Sequence, residues 1–172
     1  MRQYLDELVA RYLGKVRGTV YAMVLDAALA DDLTQEVFLR AIRGLAGFDG
    51  RAKFSTWLYR VAMNTTHSFL ARRNRSPVTF HPDPPDRPPD RTHEAGQSPE
   101  GAAMECELDA AIRAALADLT PKLRAAIVLT TLEQKNATEA ARIEGCSIAT
   151  MYWRIHEARK QLKRRLERHL AP

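Results

Sequence analysis

The residues with the most distinctive chemistry in this sequence are suited to binding rather than to catalysis. Tyr152, Trp153 and Arg154 follow one another in the stretch CSIATMYWRIHEARKQL, which begins at Cys146. Neighbouring residues on a helix point about 100° apart, so the two rings cannot both enter one core. Arginine can bridge the two acceptors of guanine, and aromatic rings can pack on thymine methyl groups or sugars. We therefore expect both rings at least partly outside the core, on a helix that contacts duplex DNA.

A helix-turn-helix unit would position these residues. Asn136 and Glu139 have capping-box spacing, Gly145 marks a helix stop, and Ser147 can cap a last helix running to about residue 169. A short helix would thus precede a long one whose first turns enter the major groove. The predicted duplex contacts, to bases and then to phosphates, are Ser147, Thr150, Tyr152, Trp153, Arg154, Arg159, Lys160 and Lys163. The predicted buried stripe of the same helix is Ile148, Met151, Ile155, Ala158 and Leu162.

The rest of the chain also has helical periodicity. In the N-terminal block, apolar residues three and four positions apart predict helices over about 5–24, 28–45 and 56–73. Two glycines in GFDGRAKFST predict a loop before the third helix. In the C-terminal block, MECELDAAIRAALADL predicts one helix, and Thr120 with Pro121 predicts the start of another. The fold class expected is all-α, with two small helical domains.

A proline-rich segment separates the two blocks. Residues 74–101 hold most of the chain's nine prolines, have few aliphatic side chains and are net acidic. Such a segment cannot bury enough apolar surface to offset the entropy lost on ordering. We predict a flexible linker over 74–103 between domains 1–73 and 104–172. It would serve either as a plain spacer or as a tether that avoids DNA or folds back on the basic blocks.

Composition restricts the possible functions. The chain has 172 residues, of which 45% are apolar and 27% charged, and its net charge of +5 favours an acidic partner such as nucleic acid. It has no phosphate loop, nucleophile elbow or paired-carboxylate site, and its cysteines and histidines lack zinc-ligand spacing. Asp31, Asp32 and Glu36 could suggest a metal site, but acids on one helix are usually a solvated surface. We expect no enzymatic activity, metal or cofactor. With no signal-peptide core and no membrane span in the sequence, we expect a cytoplasmic protein.

Two sets of motifs, in the right order, resemble the extracytoplasmic-function (ECF) sigma factors of bacterial RNA polymerase, of the sigma-70 superfamily. ADDLTQEVFLRAIRGLAGF resembles the family's polymerase-binding helix, and FSTWLYRVAMNTTHSFLARRNR resembles its promoter-melting helix. ALADLTPKLRAAIVLTTLE and ATEAARIEGCSIATMYWRIHEARKQL resemble its region four. The resemblance implies a region 2 helical bundle and a region 4 helix-turn-helix. It also implies a subunit that docks on core polymerase, directs it to a promoter class and helps to melt the duplex.

The resemblance implies roles for individual residues as well. The family's Asp-Leu-x-Gln-Glu-x-Phe run docks on the clamp helices of the largest polymerase subunits, with the flap as a further contact; here the run is Asp32, Leu33, Gln35, Glu36 and Phe38. The melted downstream element would be captured as a single strand by Phe48, Arg51, Lys53, Phe54, Trp57, Arg60 and Asn64. The upstream element would be bound as duplex by the helix-turn-helix residues above. Such proteins are commonly held inactive by an anti-sigma factor.

A stand-alone regulator is the second interpretation. Such a protein would bind operator duplex through the helix-turn-helix without core polymerase, and its N-terminal block would sense a signal or dimerise. This interpretation explains the C-terminal half equally well. It leaves DDLTQEVFLR and the aromatic and basic residues of 48–64 without a purpose.

Overall fold

Helices make up all the regular structure that can be described in this chain. The computed structural model describes the backbone of residues 2–75 and 99–170, and the side chains of 6–75 and 107–167. Seven α-helices lie in these ranges, which confirms the predicted all-α class. Their bounds are α1 Arg2–Val24, α2 Ala27–Gly44, α3 Phe54–Arg75, α4 Pro99–Ala117, α5 Pro121–Ile127, α6 Ala137–Glu144 and α7 Ile148–Leu170.

The ends of the predicted linker differ from the observed helix bounds. Helix α3 continues to Arg75, and α4 begins at Pro99, so residues 99–103 are helical rather than part of the linker. Proline is well suited to the first helical position, where its missing N–H would have had no partner. Residues 76–98, which make up most of the predicted linker, lie outside the described residues.

The N-terminal helices α1, α2 and α3 enclose one apolar cluster. Asp26 caps α2 by accepting a hydrogen bond from the backbone N–H of Leu29 at 3.0 Å. A short 3₁₀ turn, Leu45–Gly47, ends that helix before the loop to α3. The buried members of the cluster are Val16, Val20, Val24, Ala30, Leu33, Val37, Ala41, Leu58 and Ala62.

The C-terminal helices follow the capping signals of the sequence. Asn136 accepts a hydrogen bond from the N–H of Glu139 at 2.8 Å, and Ser147 accepts one from the N–H of Thr150 at 3.1 Å. Gly145 ends α6 in the left-handed region, with φ of 65°, where a side chain would be strained. The predicted helix-turn-helix is therefore present.

A π-helical turn, Val128–Leu132, continues α5. In this turn the chain gains one residue relative to an α-helix, and the N–H of Glu133 bonds to the carbonyl of Val128 at 3.1 Å. Gln134 follows with a left-handed backbone, φ 51°. The turn therefore sets the direction in which Glu133 projects.

The two halves pack together through a second cluster, which we call the shared core. From the N-terminal half it contains Met23 of α1 and two residues of α3, Tyr59 and Met63. The C-terminal half contributes Ala125, Ala126, Val128, Leu129, Ala140, Ala141, Ile143, Met151 and Ile155. Because both halves bury side chains in it, the described parts of the chain form one packed body.

A buried arginine reinforces this packing. Arg124 is 8% exposed and donates to three backbone carbonyls: Met23 at 2.5 Å, Ala117 at 2.9 Å and Leu119 at 3.2 Å. Burial lowers the pKa of its guanidinium below the usual value, which reflects the cost of removing the charge from water. The three hydrogen bonds offset this cost and join the end of α1 to the turn between α4 and α5.

Replacing this arginine should destabilise the fold. Arg124→Leu leaves three carbonyls, two of them in buried hydrogen bonds, without their donor and should lower the free energy of unfolding by about 3 kcal/mol. Arg159→Leu, at an exposed position of α7, should change it by less than about 0.5 kcal/mol. Urea unfolding followed by circular dichroism measures both. Equal effects of the two substitutions would show that the three carbonyl contacts contribute little.

Candidate nucleic-acid interface

The first turns of α7 expose both aromatic residues. Tyr152 and Trp153 are each 62% exposed, whereas Met151 and Ile155 lie in the shared core. The expectation that both rings lie outside the core is confirmed. The prediction that Ile148 is buried is wrong, because this first residue of the helix extends past the core and is 46% exposed. Ile148 lies one turn before Tyr152 and enlarges the apolar part of the same surface.

Arg154 does not share this exposed surface. It is only 9% exposed, and its Nη1 lies 3.3 Å from Oε2 of Glu144, at the end of α6. The physical reason is its spacing, since it lies three residues after Met151 and four before Ala158, both fully buried. The expectation that Arg154 faces base edges is therefore not met in this structure.

The later part of α7 carries the basic residues predicted to face phosphates. Arg159, Lys160 and Lys163 are exposed along this helix. Arg165 pairs with Asp118 at 3.0 Å, which joins the tail of α7 to the end of α4. The aromatic start and the basic continuation therefore lie on one helix.

Three aromatic rings meet beside the start of α3. The ring centroids of Phe48 and Trp57 are 5.3 Å apart, those of Phe54 and Trp57 5.5 Å, and those of Phe48 and Phe54 5.8 Å. All three residues are half-buried. The indole of Trp57 packs on Gly44, where a Cβ would lie 3.3 Å from the ring. The rings thus form a pre-arranged group with part of its surface open to a ligand.

A cavity of about 250 Å³ adjoins this aromatic group. The glycine-containing loop and the start of α3 line most of it, with Phe48, Arg51 and Trp57 among the lining residues, and α6 contributes Arg142. Arg51 pairs with Asp49 of the same loop at 2.9 Å. The combination of aromatic faces and guanidinium groups suits a planar, negatively charged ligand.

Two of the predicted strand-binding cations are engaged by α6. Arg60 donates to the carbonyl of Arg142 through Nη2 at 2.5 Å, and Lys53 lies 3.5 Å from Oε1 of Glu139. Asn64, on the same helix, is exposed. The structure therefore gathers the predicted residues on α3 and the loop before it, but α6 covers part of their surface.

The polymerase-docking run lies along α2. Asp32 and Gln35 are exposed, and Leu33 is buried in the N-terminal cluster. Glu36 pairs with Arg40 at 2.6 Å, and this hydrogen bond lowers the pKa of its carboxyl. Phe38 is half-buried. The same helix exposes two large apolar residues, Leu39 and Ile42, at 49% and 45%.

Comparison with known proteins identifies the family. A family model described as Sigma-70 region 2 matches residues 8–76, and one described as Sigma-70, region 4 matches residues 109–162. The chain is 33% identical over 169 residues to the RNA polymerase sigma-H factor of Pseudomonas aeruginosa, covering 94% of the chain and 86% of that relative. It is 31% identical over 166 residues to the ECF RNA polymerase sigma-E factor of Escherichia coli K12, covering 93% and 85%. The chain belongs to the ECF family of RNA polymerase sigma factors.

The fold of this sigma factor agrees with a solved structure. That structure is a co-crystal of the sigma factor RpoE with the anti-sigma factor NepR from Bartonella quintana. The TM-score is 0.76 at 22% identity, with 97% of this chain and 98% of the other chain covered. At this identity the likeness concerns the fold.

Family membership decides between the two interpretations of the sequence. The sigma factor is a transcription initiation factor that works with core RNA polymerase at promoters, rather than a stand-alone regulator. Among the residues whose side chains are described, no group of three or more histidines, cysteines or acids could hold a metal ion. None of the helices in residues 2–75 and 99–170 is long and apolar enough to cross a membrane.

Two glutamates that no sequence motif indicates join the halves of this sigma factor. Glu133 accepts hydrogen bonds from the hydroxyls of Tyr59 and of Thr19, the latter at 2.5 Å. Burial and the Glu133 hydrogen bond raise the pKa of Tyr59 well above its usual value, so its hydroxyl remains a donor. Glu144 is only 3% exposed, and its Oε1 lies 3.0 Å from Nε2 of His67. These partners are more than 70 positions apart, so no local pattern indicates them.

The exposed aromatics of α7 should contribute little to stability. Trp153→Ala should change the free energy of unfolding by less than about 1 kcal/mol, because the ring is largely in water. Met151→Ala, two positions earlier and fully buried, should lower it by about 2–5 kcal/mol. Thermal or urea unfolding compares the two. A large loss for Trp153→Ala would mean that its ring packs in a core after all.

Proposed function

We propose that this sigma factor divides promoter recognition between the surfaces described above. The start of α7 binds the upstream element as duplex, and the aromatic group beside α3 binds the melted downstream strand. Helix α2 docks on core polymerase. The observation that carries the proposal is the exposure of Tyr152 and Trp153 ahead of the basic residues of α7. Two large aromatic side chains exposed to water on one short stretch indicate a surface that a partner covers.

On the duplex, the aromatic residues and the cations have different tasks. Ser147, Thr150, Tyr152 and Trp153 meet base edges and sugars, since they begin the second helix of the helix-turn-helix. Arg159, Lys160 and Lys163 hold phosphates and set the register of the helix in the groove. Arg154 does not contact bases in this arrangement. Its contact with Glu144 instead holds α7 against α6 and so positions the exposed start of α7.

On the melted strand, the aromatic group accepts stacked bases. Phe48, Phe54 and Trp57 provide the faces, and the adjoining cavity takes an extruded base. Arg51, Lys53 and Arg60 hold the backbone, and Asn64 reads a base edge. Support comes from the half-buried rings, which are already arranged as a platform before any strand is bound.

On polymerase, α2 makes the main contact. Asp32 and Glu36 are one turn apart and can pair with arginines on the clamp helices, while Gln35 adds hydrogen bonds. Leu39 and Ile42 extend the contact with exposed apolar surface. Leu33 and Phe38 pack on the N-terminal cluster and hold α2 in place. Region four makes a further contact with the flap.

Three further properties complete the proposal. The sigma factor directs catalysis by polymerase and catalyses no reaction itself. It acts in the cytoplasm, where its polymerase and promoters are. An anti-sigma factor holds it inactive by covering the exposed apolar surface of α2 and α7, which free protein would otherwise leave in contact with water.

A run-off transcription assay tests the proposed function directly. Purified core RNA polymerase from the source bacterium transcribes a pool of its genomic promoter fragments, with and without the sigma factor. Discrete new start sites that depend on the added protein are expected, and their upstream sequences define the promoter. The same pool without core polymerase tests binding by the protein alone. Duplex binding with no new start sites would instead favour a regulator that acts without polymerase.

Reversing one charge on α2 should weaken docking without unfolding the protein. Asp32→Arg places a cation where the partner presents cations, so affinity for core polymerase should fall at least about tenfold. Glu107→Arg makes the same charge change at an exposed position of α4 and should leave the affinity near wild type. Fluorescence titration of labelled variants with core polymerase measures both. A loss shared equally by the two variants would indicate a general charge effect and not a docking site.

A further inference from the structure

One face of α3 presents three basic groups at regular spacing. Lys53, Arg60 and His67 are seven residues apart, which is about two helical turns, so they form one stripe. Lys53 directly precedes the helix and continues its geometry, since its carbonyl accepts the N–H of Trp57 at 3.1 Å. Two of the three are strand-binding residues of the proposed function; His67 extends the stripe.

Each group of this stripe meets an acceptor on α6. Lys53 lies 3.5 Å from Glu139, and the guanidinium of Arg60 donates twice to the carbonyl of Arg142, at 2.5 and 3.2 Å. His67 lies 3.0 Å from Glu144. The acceptors follow the same order along α6 as the basic groups follow along α3. The two helices are therefore joined at three successive places and not by a single chance contact.

The acceptors resemble what a nucleic-acid backbone offers. Carboxylate oxygens carry the same charge sign as phosphate oxygens, and the carbonyls at the last turn of a helix carry its partial negative charge. The Arg142 carbonyl and the Glu144 carboxylate both belong to the last turn of α6. Arg154 pairs with the other oxygen of Glu144 inside the C-terminal half, so this carboxylate is held in place for His67.

We infer that α6 is an intramolecular competitor for the single-stranded DNA that α3 binds. In the closed form described here, its acceptors occupy the positions that strand phosphates take in the open form. The stripe is thus used twice, first against α6 and then against the melted promoter strand. This inference rests on the proposed function, and it adds that the free sigma factor engages part of its own strand-binding surface.

Apolar contacts stabilise the closed form, and the polar contacts determine how α3 and α6 are aligned. Tyr59 and Met63 lie on the same side of α3 as the stripe and pack in the shared core with Ile143 of α6. A strand that displaces α6 must therefore compete with burial of these side chains as well as with three polar contacts. The free protein should therefore bind single-stranded DNA weakly. Its affinity should rise when substitutions weaken the acceptors on α6.

The test uses the full chain without polymerase and a fluorescein-labelled single-stranded DNA of mixed sequence. The variant Glu139→Gln/Glu144→Gln removes two acceptor charges, and glutamine at 139 keeps the capping-box residue type. Fluorescence anisotropy should show about fivefold tighter binding than wild type, since replacing a carboxylate by an amide weakens each contact with α3 without removing it. Energy transfer between dyes attached to α2 and α7 of the wild-type protein should fall when the DNA is saturating, because a bound strand holds the halves apart.

A matched control separates competition from overall charge. Glu7→Gln/Glu107→Gln removes the same number of negative charges at exposed positions of α1 and α4. It should bind the DNA as wild type does. An equal gain in the control, no gain in the double variant, or DNA binding without a fall in energy transfer would each overturn the inference. If the double variant unfolds, as judged by circular dichroism, Glu139→Gln alone serves, because Glu139 does not contact Arg154, and a smaller gain is then expected.

The run-off assay distinguishes failure of this inference from failure of the proposed function. Polymerase-dependent start sites with no difference in strand binding between variants would overturn the competition alone. Absence of any start site with wild-type protein would overturn the proposed function, whatever the variants do in the strand-binding assay.

Discussion

The structure depends on the burial of one shared apolar surface between the two halves. Met23, Tyr59 and Met63 of the N-terminal half are almost completely buried, and they are covered by α5, α6 and α7. Separation of the halves would expose these side chains to water, and burial of each large apolar side chain contributes about 1.5–3 kcal/mol. The position of the surfaces discussed above, including the exposed start of α7 and the side of α3 that α6 contacts, follows from this packing.

Polar groups inside or beside this surface select one arrangement among those that apolar contact would allow. Arg124 needs three carbonyls at fixed positions, and Glu133 needs the hydroxyls of Tyr59 and Thr19. A buried polar group without its partner costs free energy, so a shifted docking of the halves would leave several groups unsatisfied. The apolar surface therefore gives strength to the contact, and these groups define its geometry.

The sequence predicted the features that neighbouring residues determine, but not the contacts between residues far apart in the chain. The caps at Asn136, Gly145 and Ser147 and the outward aromatic rings of α7 follow from spacing and residue type, and all are present. A period of 3.6 residues shows that one side of a helix is buried but not which element covers it. The sequence therefore did not predict the docking of α6 on α3. Arg154 shows the limit within one helix: its spacing from Met151 indicated the buried side, but its charge suggested the exposed one. Only the position of Glu144 explains how the charge is accommodated.

The π-helical turn makes the contact between the halves sensitive to chain length at a single place. Glu133 reaches Tyr59 because residues 128–132 hold one residue more than an α-helix of the same path would need. Deletion of one residue there would restore α-helical register and turn the following side chain by about 100°. Over evolutionary time, a one-residue insertion or deletion at this turn would thus remove the polar contacts of Glu133 in a single step and loosen the alignment of the halves, while the shared core still holds them together.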